Sequence, residues 1–139
     1  MTRINLVPVQ ELMDQHLFAE FREIKMVPKS LARSIRARGV QGVVNRIPPS
    51  FTLNKGHVSF FYDKGAYLRK RYEQLREELD RRGVQYNRDA EFDPDGVMLV
   101  ATWNGEYEPT ELALCVIRAR IAERIAQKPQ WYRLTQPQG

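Results

Sequence analysis

The chain has 139 residues, 42% of them hydrophobic, and carries 22 Lys and Arg against 17 Asp and Glu for a net charge of +5. That composition fits one globular domain over 1–139; no apolar run approaches a membrane span, and Met1-Thr2-Arg3-Ile4-Asn5 is no signal peptide. The lone Cys115 excludes an internal disulfide, and one cysteine with two separated histidines, His16 and His57, gives no usual zinc spacing.

Thr2 to Val9 is half apolar and without a clear period, so it reads as an arm packed against the body. A small second residue normally lets the initiator methionine be removed, leaving the α-amine of Thr2 at the terminus. Such an amine has a pKa of about 7.7–8.0 and is partly neutral and nucleophilic at physiological pH. The alternative is an ordinary frayed end.

The next stretch organises the chain. Leu17, Phe21, Ile24, Leu31 and Ile35 recur at helical spacing and predict one buried face. Arg22, Lys25, Lys29, Arg33 and Arg36 form a neighbouring cationic strip, and His16, Glu20 and Glu23 share a third face. The helix is expected to begin between Gln10 and Asp14 and run towards Arg38, where Gly39 stops it. Pro28 predicts a kink, or a second helix capped by Ser30. Glu23 lies at the margin of the positive strip, where an enzyme acting on a polyanion needs a carboxylate. The plain alternative pairs Glu20 or Glu23 with a lysine one turn away.

Between Ile24 and Tyr62 there are seven basic residues and no acidic one, while most carboxylates lie between Glu73 and Glu111. This asymmetry is the footprint of a nucleic-acid binder, although an anionic membrane surface or an acidic protein attracts the same charge. Gly42, Pro48, Pro49 and Gly56 punctuate a long connection. In it, His57 stands beside Phe60, Phe61 and Tyr62 and reads as core with one polar tip.

A second helix runs from an Asp63 cap to a Gly83 stop, buries Leu68, Tyr72, Leu75 and Leu79, and pairs Glu77 with Arg81 and Glu78 with Arg82. It reads as scaffold. After it, Asp93-Pro94-Asp95-Gly96 is a turn, and Val97 to Ala101 reads as a buried connection. A third helix starts near Pro109 and ends before Pro129. Its small-residue face of Leu112, Cys115, Ala119, Ala122 and Ala126 is expected to pack closely, with Cys115 an inert core thiol of a reducing compartment. Arg118, Arg120 and Arg124 give this helix its positive charge. In the tail, Lys128-Pro129-Gln130-Trp131-Tyr132-Arg133 interleaves aromatics with cations, to stack on bases or to pin the tail to the core.

Several blocks, in this order and spacing, carry a resemblance. They are Met1-Thr2-Arg3-Ile4-Asn5-Leu6, Asp14-Gln15-His16-Leu17, Arg22-Glu23, Gly56-His57-Val58-Ser59-Phe60-Phe61-Tyr62-Asp63-Lys64, Leu68-Arg69-Lys70-Arg71 and Ile125-Ala126-Gln127-Lys128-Pro129-Gln130-Trp131-Tyr132. Together they resemble the pyrimidine-dimer DNA glycosylase/AP lyase family of the phage endonuclease V type. The resemblance covers most of the chain and is poorest in the loop before the third helix and in the last residues.

It implies an all-α single compact domain of three packed helices, the first kinked, with long loops and an N-terminal arm packed between helices. It further implies excision of cyclobutane pyrimidine dimers from UV-damaged duplex DNA. The Thr2 amine would attack C1′ and form a Schiff base, Glu23 would stabilise the charge on the sugar, and β-elimination would cut 3′ to the abasic site. No cofactor or metal enters. Arg3, Gln15, His16, Arg22, Arg120 and Arg124 match DNA-contact positions, and Lys25 stands beside Met26, where the phage member has arginine. The tail after Tyr132 also lacks aromatic residues of that member. The partners implied are double-stranded DNA with dimers or abasic sites and no membrane, for a monomer of the cytoplasm or nucleoid. A non-catalytic basic helical DNA-binding domain on the same scaffold is the alternative.

Overall fold

In the computed structural model, residues 3–136 are described, so Thr2 lies outside the described residues. After an extended arm come α1 (Asp14–Glu23), α2 (Met26–Val44), the single turn α3 (His57–Phe60), α4 (Gly65–Arg82) and α5 (Glu111–Gln127). No strand occurs among the described residues. The all-α architecture with a kinked first helix is the one expected. The kink sits elsewhere.

The predicted first helix breaks at Ile24 and Lys25 rather than at Pro28. Pro28 falls in the first turn of α2, where its missing N–H has no intrahelical partner to lose, so the ring is tolerated. Ser30 does not cap; its hydroxyl lies 2.5 Å from the Tyr62 hydroxyl. Gly39 does interrupt the helix, with φ 73° and ψ 167°, a region that only glycine enters without strain. The backbone turns there and a short helical run to Val44 follows, with Val43 buried.

Leu17 and Phe21 of α1, Ile24 at the break and Leu31 of α2 meet Leu68, Tyr72, Leu75 and Leu79 of α4 in one core, closed by Met98, Trp103 and Ile117. Lys64 rather than Asp63 precedes α4; Asp63 pairs instead with Lys64 at 2.8 Å. Of the two predicted pairs on α4, Glu78–Arg82 forms at 2.8 Å, whereas Arg81 turns to Glu78. Thr110 caps α5 by accepting from the Ala113 N–H at 3.0 Å.

Two expectations in the C-terminal half are corrected. The core face of α5 is Ala113 and Ile117, flanked by Leu114 and Ile121, so Leu112 is 75% exposed and Cys115 is a surface thiol. With Ala113 and Ile117 turned to the core, the stripe of Leu112, Cys115, Ala119, Ala122 and Ala126 faces outward. Val97–Leu99 and Ala101–Trp103 form two short 3₁₀ turns; between Val97 and Ala101 only Met98 is buried, while Leu99 and Val100 face solvent.

The arm occupies the seam between α1, α3 and α4. Ile4, Asn5, Leu6 and Val7 are all buried. Leu6 has φ 61°, and the Val7 N–H donates to the Asn5 carbonyl at 2.5 Å across it, forming a tight γ-turn. A leucine in this region carries strain of order 1–3 kcal/mol and persists only where its surroundings hold it.

Candidate active site

The groups that hold the arm come from four places in the chain. The Ile4 N–H donates to His57 Nε2 at 2.9 Å, while His57 Nδ1 donates to the Thr52 carbonyl at 2.8 Å, which fixes the ring in one neutral tautomer. The Asn5 N–H donates to Glu20 Oε1 at 3.1 Å. Arg71 grips Glu20 with two nitrogens, at 2.7 and 3.1 Å, and donates to the Val7 carbonyl at 2.5 Å. Arg82 reaches the carbonyls of Val9, Gln10 and Leu12. Burial works against the Arg71 charge, but Glu20 outweighs it and raises the guanidinium pKa.

His57 therefore matches its sequence reading as a buried polar tip, and its role is to hold the arm. Burial, with Arg3 nearby, depresses its pKa below the ordinary 6.5, and His16 is depressed by burial and by Arg3 and Arg124. Below pH 6.5 the unfolded chain takes up protons that these two rings refuse when folded, so stability falls on acidification through that range. We expect urea midpoints to drop between pH 7.5 and 5.5, and to drop less in His57→Gln. That variant starts lower at pH 7.5 for lack of the Thr52 bond.

Pinned in this way, the arm forms one wall of a cleft of about 260 Å³ lined by Arg3, Asn5, His16, Glu23, Arg124 and Tyr132, among others. Glu23 is half-buried here. Burial raises its pKa above the ordinary value, opposed by Arg22 and by the backbone N–H and guanidinium of Arg3. Arg3 is pressed the other way, lowered by burial and by the fields of Arg120 and Arg124. The cleft thus sets two carboxylates, Glu23 and the Arg71-paired Glu20, beside the cations Arg3 and Arg124. His16 packs tilted against Tyr132 with ring centroids 4.7 Å apart, and its buried Nδ1 has no hydrogen-bond partner among the described residues.

Of the residues singled out from sequence, Arg3, His16, Glu23 and Arg124 meet in this cleft, and Arg120 reaches it through its field on Arg3. Arg22 lies exposed over Phe18 at 5.4 Å, and Lys25 lies over Phe21 at 5.6 Å; neither lines the cleft. Gln15 is occupied by the tail, donating to the Trp131 carbonyl at 2.6 Å and accepting from the Arg133 N–H at 3.1 Å. Asp14 binds the Thr135 N–H and hydroxyl and Arg82, contacts that outweigh burial and lower its pKa. The tail is thus pinned, with Tyr132 in the cleft and Trp131 exposed beside it.

Sequence reasoning passed over Asn5 as a cleft residue, and Glu20 and Arg71 as the clamp beneath it. A signal existed for Arg71. On α4 the buried stripe 68, 72, 75, 79 takes in positions 71, 78 and 82, so three charged residues fall on an apolar face. Buried charges persist only when paired, which marks that face as holding polar groups of another segment.

An all-helical domain with a carboxylate in a cationic cleft is suited to act on a polyanion. Residues 1–92 match the family model for pyrimidine dimer DNA glycosylase, and the chain belongs to that family. Its role is accordingly that of a DNA repair glycosylase with DNA as substrate. Among the described residues, no helix is long and apolar enough to cross a membrane, and no three His, Cys, Asp or Glu side chains gather as a metal site.

Proposed function

We propose that the protein excises cyclobutane pyrimidine dimers from duplex DNA and cuts the resulting abasic site as an AP lyase. The observation that carries the reading is Glu23, a half-buried carboxylate facing Arg3 in the cationic cleft, one residue along the arm from Thr2. With Met1 removed, the Thr2 α-amine attacks C1′. The glycosidic electrons leave with the base, which takes up a proton, and the amine loses one. Opening of the sugar ring then gives the Schiff base. Removal of a C2′ proton expels the 3′ phosphate by β-elimination, and water hydrolyses the imine to return the amine.

Glu23 stabilises the positive charge on the sugar and assists these proton transfers. Arg3, Arg22, Lys25, Arg120 and Arg124 supply phosphate contacts, and His16 lies beside the lesion. Gln15 contributes through the tail it holds. The dimer's sugar is reached by bending the duplex and extruding a base. The protein works as a monomer where chromosomal or viral DNA lies, in the cytoplasm or nucleoid.

Intact mass of the native protein, before and after borohydride with a duplex carrying a dimer or an abasic site, tests this. The expected result is a mass lacking methionine and a DNA adduct mapped to Thr2. Processed protein that gives no adduct with either duplex refutes the lyase mechanism and favours a non-catalytic DNA-binding domain.

A further inference from the structure

A second basic cleft opens on the far side of the turn that holds the arm. It measures about 420 Å³ and is lined by Arg38, Arg46 and Lys55, with Ser34, Ser59 and Tyr62 supplying hydroxyls. Val43 and Pro48 give it an apolar part. The fold builds this convergence. The break at Gly39 turns the chain so that Arg38 and Arg46, on either side of it, line the same space. Opposite them, Gly56 takes φ 98°, and a Cβ there would stand 3.0 Å from the Pro48 ring. The loop therefore needs glycine at this point both for its backbone and for the space.

The charge is uncompensated. On α4, Arg71, Arg76, Arg81 and Arg82 all pair with carboxylates. No ion pair is formed by Arg38, Arg46 or Lys55 among the described residues, and no acidic residue occurs between Ile24 and Tyr62. Three like charges around one cleft repel each other, and an anion relieves that repulsion. The space is larger than one phosphate ion needs, and Val43 and Pro48 offer a surface that a sugar fits and an inorganic ion does not.

We propose that this cleft binds a backbone phosphate of the DNA, together with its deoxyribose, outside the catalytic cleft. The proposal rests on the reading of the protein as a glycosylase of duplex DNA. The two clefts share one structural link: Gly56 lines the second, and the next residue, His57, accepts from Ile4, which adjoins Arg3 in the first. A strand held at both is fixed in direction as well as position. These contacts carry no base information, so the site sets register and affinity.

The test is the salt dependence of affinity for undamaged duplex, a readout independent of chemistry. Arg46→Gln with Lys55→Gln removes two exposed cations of the cleft, and Lys70→Gln with Arg81→Gln removes the same charge from α4. We expect the slope of log K against log salt to become shallower by about 1 in the cleft variant only. Borohydride trapping at saturating abasic DNA is expected to stay at wild-type level. Equal changes in both variants would overturn the proposal in favour of a diffuse field. An unchanged slope overturns it too. If, in that case, inorganic phosphate shifts the Gly56 and Ser59 amide resonances in NMR spectra, the cleft takes a free anion instead. Failure of wild-type trapping strikes the lyase mechanism and leaves this measurement standing.

Discussion

Glu23→Gln is expected to lower the single-turnover rate on dimer-containing DNA by about a thousandfold or more, with affinity for undamaged duplex retained. The size follows from the two tasks proposed for one side chain. Removing an electrostatic stabiliser costs roughly 10²–10³ in rate, and removing a proton-transfer group roughly 10²–10⁴. The change is nearly isosteric, so Arg3 and Arg22 remain in place, and the loss of a negative charge beside phosphates does not weaken binding. The pH profile adds a sign. Burial raises the Glu23 pKa above its ordinary 4.5, so the carboxylate is lost at a higher pH than for an exposed glutamate. Log kcat/KM should gain an extra unit of downward slope on the acid side, beginning above that value, and the variant should lack it. Wild-type rates in the variant would remove Glu23 from the mechanism.

Arg71→Met is expected to have the largest effect on stability. Glu20 is 1% exposed and Arg71 3%, so removing the guanidinium leaves a carboxylate buried without its counter-charge and the Val7 carbonyl without its donor. Breaking such a pair from one side costs about 3–5 kcal/mol, a fall in Tm of roughly 10 °C or more for a domain of this size. Glu20→Leu with Arg71→Met removes both charges and is expected to recover part of the loss. Recovery stays incomplete, because the Asn5 N–H and Val7 carbonyl both lose their partners. Activity should not recover with the Tm, since the arm then keeps His57 and Arg82 but loses its contacts at Asn5 and Val7, on either side of the strained Leu6. Thermal melts and trapping yields on the same samples separate the two effects. A double variant with full activity would show that the clamp only stabilises.

Much of this architecture was legible in the sequence because periodicity reports burial directly. The stripes on α1, α2 and α4 gave the packed faces, Gly39 and Gly83 gave the breaks, and the shared face of His16 and Glu23 placed both in one cleft. What escaped depended on contacts between distant segments. Pro28 signals a kink in isolation, yet the first turn of α2 absorbs it, and the break falls instead at Ile24 and Lys25, where α1 ends against the core it shares with α4. Cys115 lies in an apolar run that points outward once Ala113 and Ile117 are chosen as the core face. Gln15 holds through its amide a tail more than a hundred residues away, a contact that no local spacing signals. Local spacing contains none of these choices.

The way the arm is held also orders the events of folding. Its partners lie 53 positions away at His57, 64 at Arg71 and 73 at Arg82, and all of them are synthesised after it. Contacts of such separation close late, since the intervening loops must be ordered before the contacts repay them. The strained turn at Leu6 gives the arm no reason to adopt its final shape beforehand. The arm, made before its partners, is therefore among the last segments to be placed. A nascent chain cannot fasten the arm until α4 is complete.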